Sequence, residues 1–135
     1  MNPRYPTVAE RAGHRCEYCR APEAIFNFPF EVEHIVPKGR GGADQASNWA
    51  LSCRACNLHK GDHRETLDPQ SRAVVPLFNP RLHRWEDHFR LEEGTVVLVG
   101  VTPIGRATIA CLQMNRPAQL DARHYWMRLK LFPTF

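Results

Sequence analysis

The sequence predicts an α+β fold in which a small strand-strand-helix unit is followed by a β-hairpin and two C-terminal helices. Three observations favour it: two cysteine pairs of identical spacing, alternating apolar and polar residues between them, and a helix-start signal at Thr102-Pro103. The 135 residues suffice for one ordinary domain. We expect two parts, a core over residues 1–65 and an extension over residues 66–135, packed as one unit.

The two cysteine pairs predict a metal site. Cys16-x-x-Cys19 and Cys53-x-x-Cys56 each bring two thiolates to one ion, and four thiolates form a tetrahedral zinc site. The N-terminus lacks the features of a secretion signal, so we expect a cytoplasmic location, where thiols stay reduced. The sequence therefore predicts a structural zinc that ties the core together.

Local patterns place the remaining elements of the core. Residues 7–14 predict a helix with Thr7 as N-cap and Glu10 closing a capping box. Alternation within residues 25–36 predicts a strand in which Glu33 and His34 point to opposite sides. A glycine loop over residues 38–44, a strand over residues 49–52 and a helix beginning near Cys53 follow.

The extension begins with a stretch that has no clear periodicity. Residues 62–81 predict a connecting arm on the surface. Residues 85–91 and 95–101 predict a hairpin, with the turn at residues 92–94. Pro103 at the first helical position predicts a helix to Met114, and a last helix is expected over residues 118–131.

Charge favours a polyanionic partner. The net charge is +4, the isoelectric point is near 9.0, and no apolar run approaches the ~20 residues that span a bilayer. A solvated basic surface is the alternative explanation. The basic residues gather around the cysteine pairs, at Arg11, Arg15, Arg20, Lys38, Arg40, Arg54, Lys60 and Arg64.

A zinc ion held by four thiolates cannot activate water, so hydrolysis at this site needs a second ion that prefers oxygen ligands. The 33 residues between the cysteine pairs contain Glu33, which offers a carboxylate. Asn57 follows Cys56 directly and offers an amide oxygen.

These residues resemble the HNH, or ββα-metal, nuclease family in its four-cysteine form. The resemblance covers residues 14–61 and rests on Glu33-His34-Ile-Val-Pro37, Gly41-Gly42, Asn48 and Cys53-Arg-Ala-Cys56-Asn57-Leu-His-Lys60-Gly61. A softer resemblance, over residues 77–131, is to the extension of small stand-alone bacterial HNH proteins.

The resemblance implies a role for each motif residue. His34 is expected to be the general base, and Asn48 to orient it by tying the loop to the strands. Glu33 and Asn57 are expected to hold one Mg²⁺ or Mn²⁺, and Asn57 in place of the family's frequent histidine favours these harder ions. Lys60 is expected to contact the phosphate, while His59 and His63 could complete the ion shell or contact DNA.

The expected activity is phosphodiester hydrolysis in DNA, with RNA not excluded, by a monomer or weak dimer that nicks one strand. The resemblance implies 5'-phosphate and 3'-hydroxyl ends. No membrane or small-molecule substrate is expected. Two alternatives stay open: a zinc-dependent nucleic-acid-binding module with an inactive HNH site, and a structural zinc domain that binds protein.

Overall fold

The predicted α+β class is confirmed by the computed structural model, which describes residues 2–133. Within these residues the strands form three separate antiparallel pairs, β1 with β2, β3 with β4 and β5 with β6. In chain order the elements are α1 (Tyr5–Arg11), β1 (Glu31–His34), β2 (Trp49–Ser52), α2 (Arg54–Lys60), β3 (Glu65–Leu67), β4 (Val74–Pro76), β5 (Phe89–Leu91), β6 (Leu98–Gly100), α3 (Pro103–Leu112) and α4 (Pro117–Arg128).

The predicted strand-strand-helix unit consists of β1, β2 and α2. His34 lies opposite Trp49, and Glu33 lies opposite Ala50. Side chains alternate along a strand, so Glu31 and Glu33 share the face toward α2, while Val32 and His34 share the other. Helix α1 packs beside the hairpin but leaves that second face partly open, so 21% of the His34 side chain stays exposed. The hairpin is therefore covered by α2 on one side and only in part on the other.

Helix α1 begins at Tyr5, so the predicted capping box at Thr7 and Glu10 is wrong. Pro6 lies in the first turn, and Arg4 precedes the helix without a side-chain cap. Proline carries a backbone angle already suited to the first helical turn, and here it determines the start of the helix. The helix ends at Arg11, earlier than expected, and Gly13 follows with a φ of +64°.

The connecting arm is more ordered than its sequence indicates. Residues 65–76 form the ribbon of β3 and β4, and the buried Asp68 accepts hydrogen bonds from the backbone N–H groups of Gln70 and Ser71 at 3.2 Å. Arg106 in α3 binds the same carboxylate through two nitrogens, at 3.0 and 2.9 Å. The arm is thus attached to the extension by the ion pair between Asp68 and Arg106.

The hairpin and the two C-terminal helices are present as predicted, with shorter bounds. Strands β5 and β6 cover three residues each, because residues 85–87 form a short 3₁₀ turn instead. Thr102 caps α3 by accepting a hydrogen bond from the Gly105 N–H at 3.0 Å. Gln113, with a φ of 51°, ends this helix before Met114.

The two parts of the chain share one hydrophobic core. Tyr18 and Leu51 from the first part pack in the same cluster as Phe78, Trp85 and Trp126 from the second. The Trp85 indole N–H donates to the Tyr18 carbonyl at 2.7 Å. The extension thus packs directly behind the first cysteine pair. Among the helices of residues 2–133, none is both long and apolar enough to cross a bilayer.

Candidate functional site

The four paired cysteines form a metal-binding cluster in the core. Their sulfur atoms all lie within 4.8 Å of one another, and all four side chains are buried. A zinc-sulfur bond of about 2.3 Å in a regular tetrahedron separates neighbouring sulfurs by about 3.8 Å. The Cys19 and Cys53 sulfurs are 3.8 Å apart. The cluster is therefore close to the size that a tetrahedral ion needs.

The four thiols also share hydrogen bonds with one another. These bonds hold the pKa of the Cys19 thiol well below its usual range, with the bond to Cys16 as the largest cause, and they raise the pKa values of the Cys53 and Cys56 thiols. Cys53 is at the same time the N-cap of α2, where its sulfur accepts from the Cys56 N–H at 3.5 Å. An ion at the cluster would therefore fix where α2 begins, and with it the position of Asn57.

Glu33 lies in a closed, charged interior. Its carboxylate accepts a hydrogen bond from the Tyr18 hydroxyl, and its other oxygen lies 3.1 Å from the Lys60 ammonium. Burial raises the pKa of Glu33, while Lys60 and Tyr18 oppose that rise. Both carboxylate oxygens are thus engaged, so the predicted ion ligand is occupied by the protein's own groups.

Lys60 is buried rather than placed at an exposed basic helix end. Only 1% of its side chain is accessible, and its ammonium donates to the carbonyls of Ile35 at 2.8 Å and His34 at 3.4 Å. These bonds attach the end of α2 to the end of β1. A phosphate contact by Lys60, as the resemblance implies, would require the side chain to leave these partners.

Asn57 faces the same strand but meets a different carboxylate. Its amide donates to Glu31, which is 39% exposed and lies 3.9 Å from Arg54. His59 and His63 are each bonded through Nδ1 to a backbone carbonyl, of Ala55 at 2.8 Å and of Lys60 at 3.0 Å. The structure thus brings Asn57 next to Glu31, a residue to which sequence reasoning gave no role.

His34 occupies the opposite, open face of the hairpin. Its side chain is 21% exposed, and its Nε2 atom lies 2.9 Å from an oxygen of Asp44. Its Nδ1 atom makes no hydrogen bond with any residue in the described range 2–133. The imidazole is therefore held at one nitrogen and open at the other, which is the arrangement a general base needs.

Asn48 joins the loop to the end of β1 with three side-chain hydrogen bonds. Its oxygen accepts from the Val36 N–H at 2.9 Å, and its amide donates to the carbonyls of Val36 at 2.9 Å and Ala43 at 2.8 Å. Gly42 allows the loop to approach, since a Cβ there would lie 1.7 Å from the Val36 carbonyl oxygen. Asn48 and Gly42 together hold the loop against the end of β1, next to His34.

The basic residues divide into two groups. Those near the first cysteine pair are used internally: Arg11 donates to the Ala46 carbonyl at 2.9 Å, and Arg15 to the Arg20 carbonyl at 3.0 Å. Lys38 and Arg40, in the glycine loop, are exposed and form no ion pair with the part of the chain that the structure describes. Unpaired positive charge is therefore present on the loop that carries Asp44, and Arg54 and Arg64 near the second cysteine pair are exposed as well.

Sequence reasoning missed three partners of the motif residues: Asp44, Glu31 and Tyr18. Asp44 is ten positions from His34, within a loop whose glycines predict no fixed geometry. Arg81 likewise pairs with Glu17, whose other oxygen accepts from the Leu51 N–H at 2.8 Å. Each of these contacts depends on tertiary packing, and no local sequence pattern predicts it.

Comparison with known proteins identifies the first part of the chain. A family model described as HNH endonuclease matches residues 16–63. No curated protein and no solved structure matches the chain. The matched residues include both cysteine pairs, His34, Asn48 and Asn57, while the resemblance of residues 77–131 stays a prediction. Residues 16–63 thus form a domain of the HNH endonuclease family, with four cysteines placed to bind a metal.

Proposed function

We propose that this protein is a zinc-containing endonuclease that hydrolyses phosphodiester bonds in DNA, nicking one strand at a time in the cytoplasm. The observation that carries the proposal is the state of His34 within the matched domain: its ring is held through Nε2 while Nδ1 is open. A single hairpin offers one such imidazole, so one chain would cut one strand. RNA stays a possible substrate of the same chemistry.

In the proposed reaction, His34 takes a proton from the attacking water at its free ring nitrogen. The water oxygen forms a bond to phosphorus, the bond from phosphorus to the 3'-oxygen breaks, and the leaving oxygen takes a proton from solvent. The products are a 5'-phosphate and a 3'-hydroxyl. General-base assistance of this kind contributes about 10²- to 10⁴-fold to a rate.

The residues fit the two proposed ions unequally. The four buried cysteines fit structural zinc, as the sulfur spacing supports. Asn57 offers an oxygen of the type that Mg²⁺ and Mn²⁺ prefer. Glu33 does not fit as an ion ligand while Tyr18 and Lys60 engage both its oxygens. The proton transfer at His34 therefore does not use an ion at Glu33.

Exposed charge supports a nucleic-acid substrate. Lys38 and Arg40 lie on the loop that carries Asp44, and Asp44 contacts His34. Phosphate groups are the ligand that such unpaired cations attract, largely without regard to base sequence. We therefore propose DNA binding with weak sequence preference.

The engagement of both Glu33 oxygens favours a second candidate function. A domain in which Glu33 does not bind an ion would bind zinc and nucleic acid without cleaving the nucleic acid. This second candidate is a nucleic-acid-binding module with an inactive HNH site. The two functions share the zinc and the basic loop, and they differ in whether His34 does chemistry.

Nicking of supercoiled plasmid in Mg²⁺ or Mn²⁺ separates the two functions. Wild type is expected to nick, and His34→Ala is expected to lose about 100-fold or more of the rate. His124→Ala is the matched control, because His124 is an exposed histidine of α4, outside the matched domain, and its loss should leave the rate unchanged.

DNA binding by the same proteins is measured alongside nicking. Binding without nicking by wild type supports the inactive module. Equal nicking by wild type and His34→Ala contradicts the role of His34 as base.

A further inference from the structure

We propose that Asp44 is the positioning residue of His34: it accepts the Nε2 proton and thereby directs the free Nδ1 atom toward the reacting water. This inference rests on the function proposed above and adds to it a residue outside the motif. The general base would then be a pair of side chains rather than a single histidine.

The hydrogen bond fixes the form of the ring. A neutral imidazole carries one N–H and one acceptor nitrogen, and a carboxylate can only accept. With Nε2 2.9 Å from the Asp44 oxygen, the proton of the neutral ring belongs on Nε2. Nδ1 then carries the lone pair. The pKa of Asp44 is lowered to about 2, first by the hydrogen bond from His34, so the carboxylate is ionised at neutral pH.

Asp44 is itself held in place from two further directions. The Arg4 guanidinium lies 2.6 Å from its second carboxylate oxygen, and the Trp49 indole N–H donates to the first at 3.1 Å. Arg4 also lies over the Trp49 ring, 4.7 Å from its centre. Three separate segments, before α1, at the end of β1 and at the start of β2, thus supply donors to one carboxylate of the glycine loop.

The neighbouring loop bonds restrict Asp44 further. The Asn48 amide holds the carbonyl of Ala43, the residue immediately before Asp44, at 2.8 Å. The backbone of the loop is therefore tied down beside the carboxylate. A surface ion pair with this many supports differs from the isolated exposed pairs that contribute little. It restricts rotation of the His34 ring about its side-chain bonds.

This pair gives His34 a defined task in the proton transfer. Nδ1 takes the proton of the attacking water, Nε2 keeps its own, and the ring becomes an imidazolium beside a carboxylate that stays ionised. Asp44 does not touch the reacting atoms, so it acts through His34 alone. Loss of a carboxylate that orients a metal-bound histidine typically costs about 10- to 100-fold in activity, and we expect a loss of that size here.

The first test is kinetic and uses the zinc-loaded full-length protein. Asp44→Ala is expected to lower kcat for plasmid nicking about 10- to 100-fold with little change in KM, and Asp44→Glu to restore part of the loss. Asp121→Asn, an exposed carboxylate change on α4, is the charge-matched control and should leave kcat unchanged. In a His34→Ala background, Asp44→Ala is expected to have no further effect. An undiminished loss in that background overturns the proposal.

The second test does not depend on activity. Nitrogen NMR of the imidazole rings, assigned with His34→Ala, should show that His34 carries its proton on Nε2 in wild type. The same measurement should show a mixture of the two forms in Asp44→Asn. An unchanged signal in Asp44→Asn overturns the inference. If wild type does not nick, the proposed function fails, and the NMR result still decides whether Asp44 positions the ring.

Discussion

On the face of β1 that meets α2, Glu33 is buried and both its oxygens are engaged, by the Tyr18 hydroxyl and the Lys60 ammonium. On the opposite face, one residue later, the His34 ring is partly exposed, and only Nε2 is bonded. Adjacent residues of one strand therefore lie in opposite environments. The alternation of the strand alone separates a closed side from an open one.

Of these two motif residues, His34 is the one whose side chain keeps a nitrogen without a hydrogen bond to the described residues. A buried carboxylate with a full set of partners contributes to the position of the helix, since Lys60 also binds two carbonyls at the end of β1. A ring with one free nitrogen beside exposed Lys38 and Arg40 can meet a phosphate and a water. The closed face thus acts as a frame that holds α2 against β1, and we propose that the chemistry takes place on the open face.

Removing the zinc site is expected to unfold the domain, so that the closed and the open face are lost together. Cys53→Ser removes one of the four thiolates and the N-cap of α2, and structural zinc contributes about 10 kcal/mol or more to folding. We expect loss of bound zinc and of native circular dichroism. Cys111→Ser, outside the cluster and half-buried, is the control and should keep both. A folded, zinc-free Cys53→Ser protein would show that the frame does not need the ion.

Lys60→Met tests the closed face alone. The methionine keeps most of the stem but leaves Glu33 buried without its counter-charge, at a cost of about 3–5 kcal/mol in the free energy of unfolding. Urea unfolding measures this, with the exposed Lys38→Met as control. Adding Glu33→Gln to Lys60→Met should recover part of the loss. A single variant as stable as wild type contradicts the description of this face as a closed ion pair.

Binding of Mn²⁺, followed by electron paramagnetic resonance, tests whether Glu33 is a ligand of an ion. Because both Glu33 oxygens are engaged, Glu33→Gln is expected to bind Mn²⁺ as wild type does. Glu31→Gln is the matched comparison, since Glu31 contacts Asn57 and is 39% exposed, and we expect about tenfold weaker binding. Loss of Mn²⁺ binding in Glu33→Gln alone would show that Glu33 is a ligand of the ion.

The open face should make a small, acid-sensitive contribution to stability. The pKa of Asp44 is about 2 in the folded protein, against about 3.9 for an unperturbed aspartate. A lowered pKa stabilises the folded state above the unfolded value, and this contribution disappears as the pH falls from about 4 toward 2.

Urea midpoints of wild type and Asp44→Asn should therefore differ at neutral pH and converge in acid. Asp121→Asn corrects for the change in net charge. A difference that stays constant down to pH 2 would contradict the pairing of Asp44 with His34 and Arg4.

Features with a local chemical signature could be predicted from the sequence. Identical cysteine spacings predicted the metal cluster, and Thr102-Pro103 predicted the start of α3, because each depends on neighbouring residues. The strand alternation also predicted that Glu33 and His34 point apart.

Features that depend on distant partners could not be predicted in this way. The burial of Lys60 requires the carbonyls of β1, 25 residues away, and the pairing of His34 requires a loop residue without a pattern. The short strands β3 and β4 have half-exposed faces and no alternation to reveal them, and Arg106 supports their turn from α3. In this molecule the motif predicted His34 as the reacting residue, whereas the contacts of His34 arise from tertiary packing.

Hydrolysis with His34 as the base is tested most directly by the fate of plasmid nicked by the wild-type protein. With Mg²⁺ or Mn²⁺ present, supercoiled plasmid should become open circles that DNA ligase seals, because ligase requires a 5'-phosphate next to a 3'-hydroxyl. His34→Ala should yield few such circles in the same time. Open circles that ligase cannot seal, or equal amounts of sealable circles from both proteins, would contradict hydrolysis with His34 as the base.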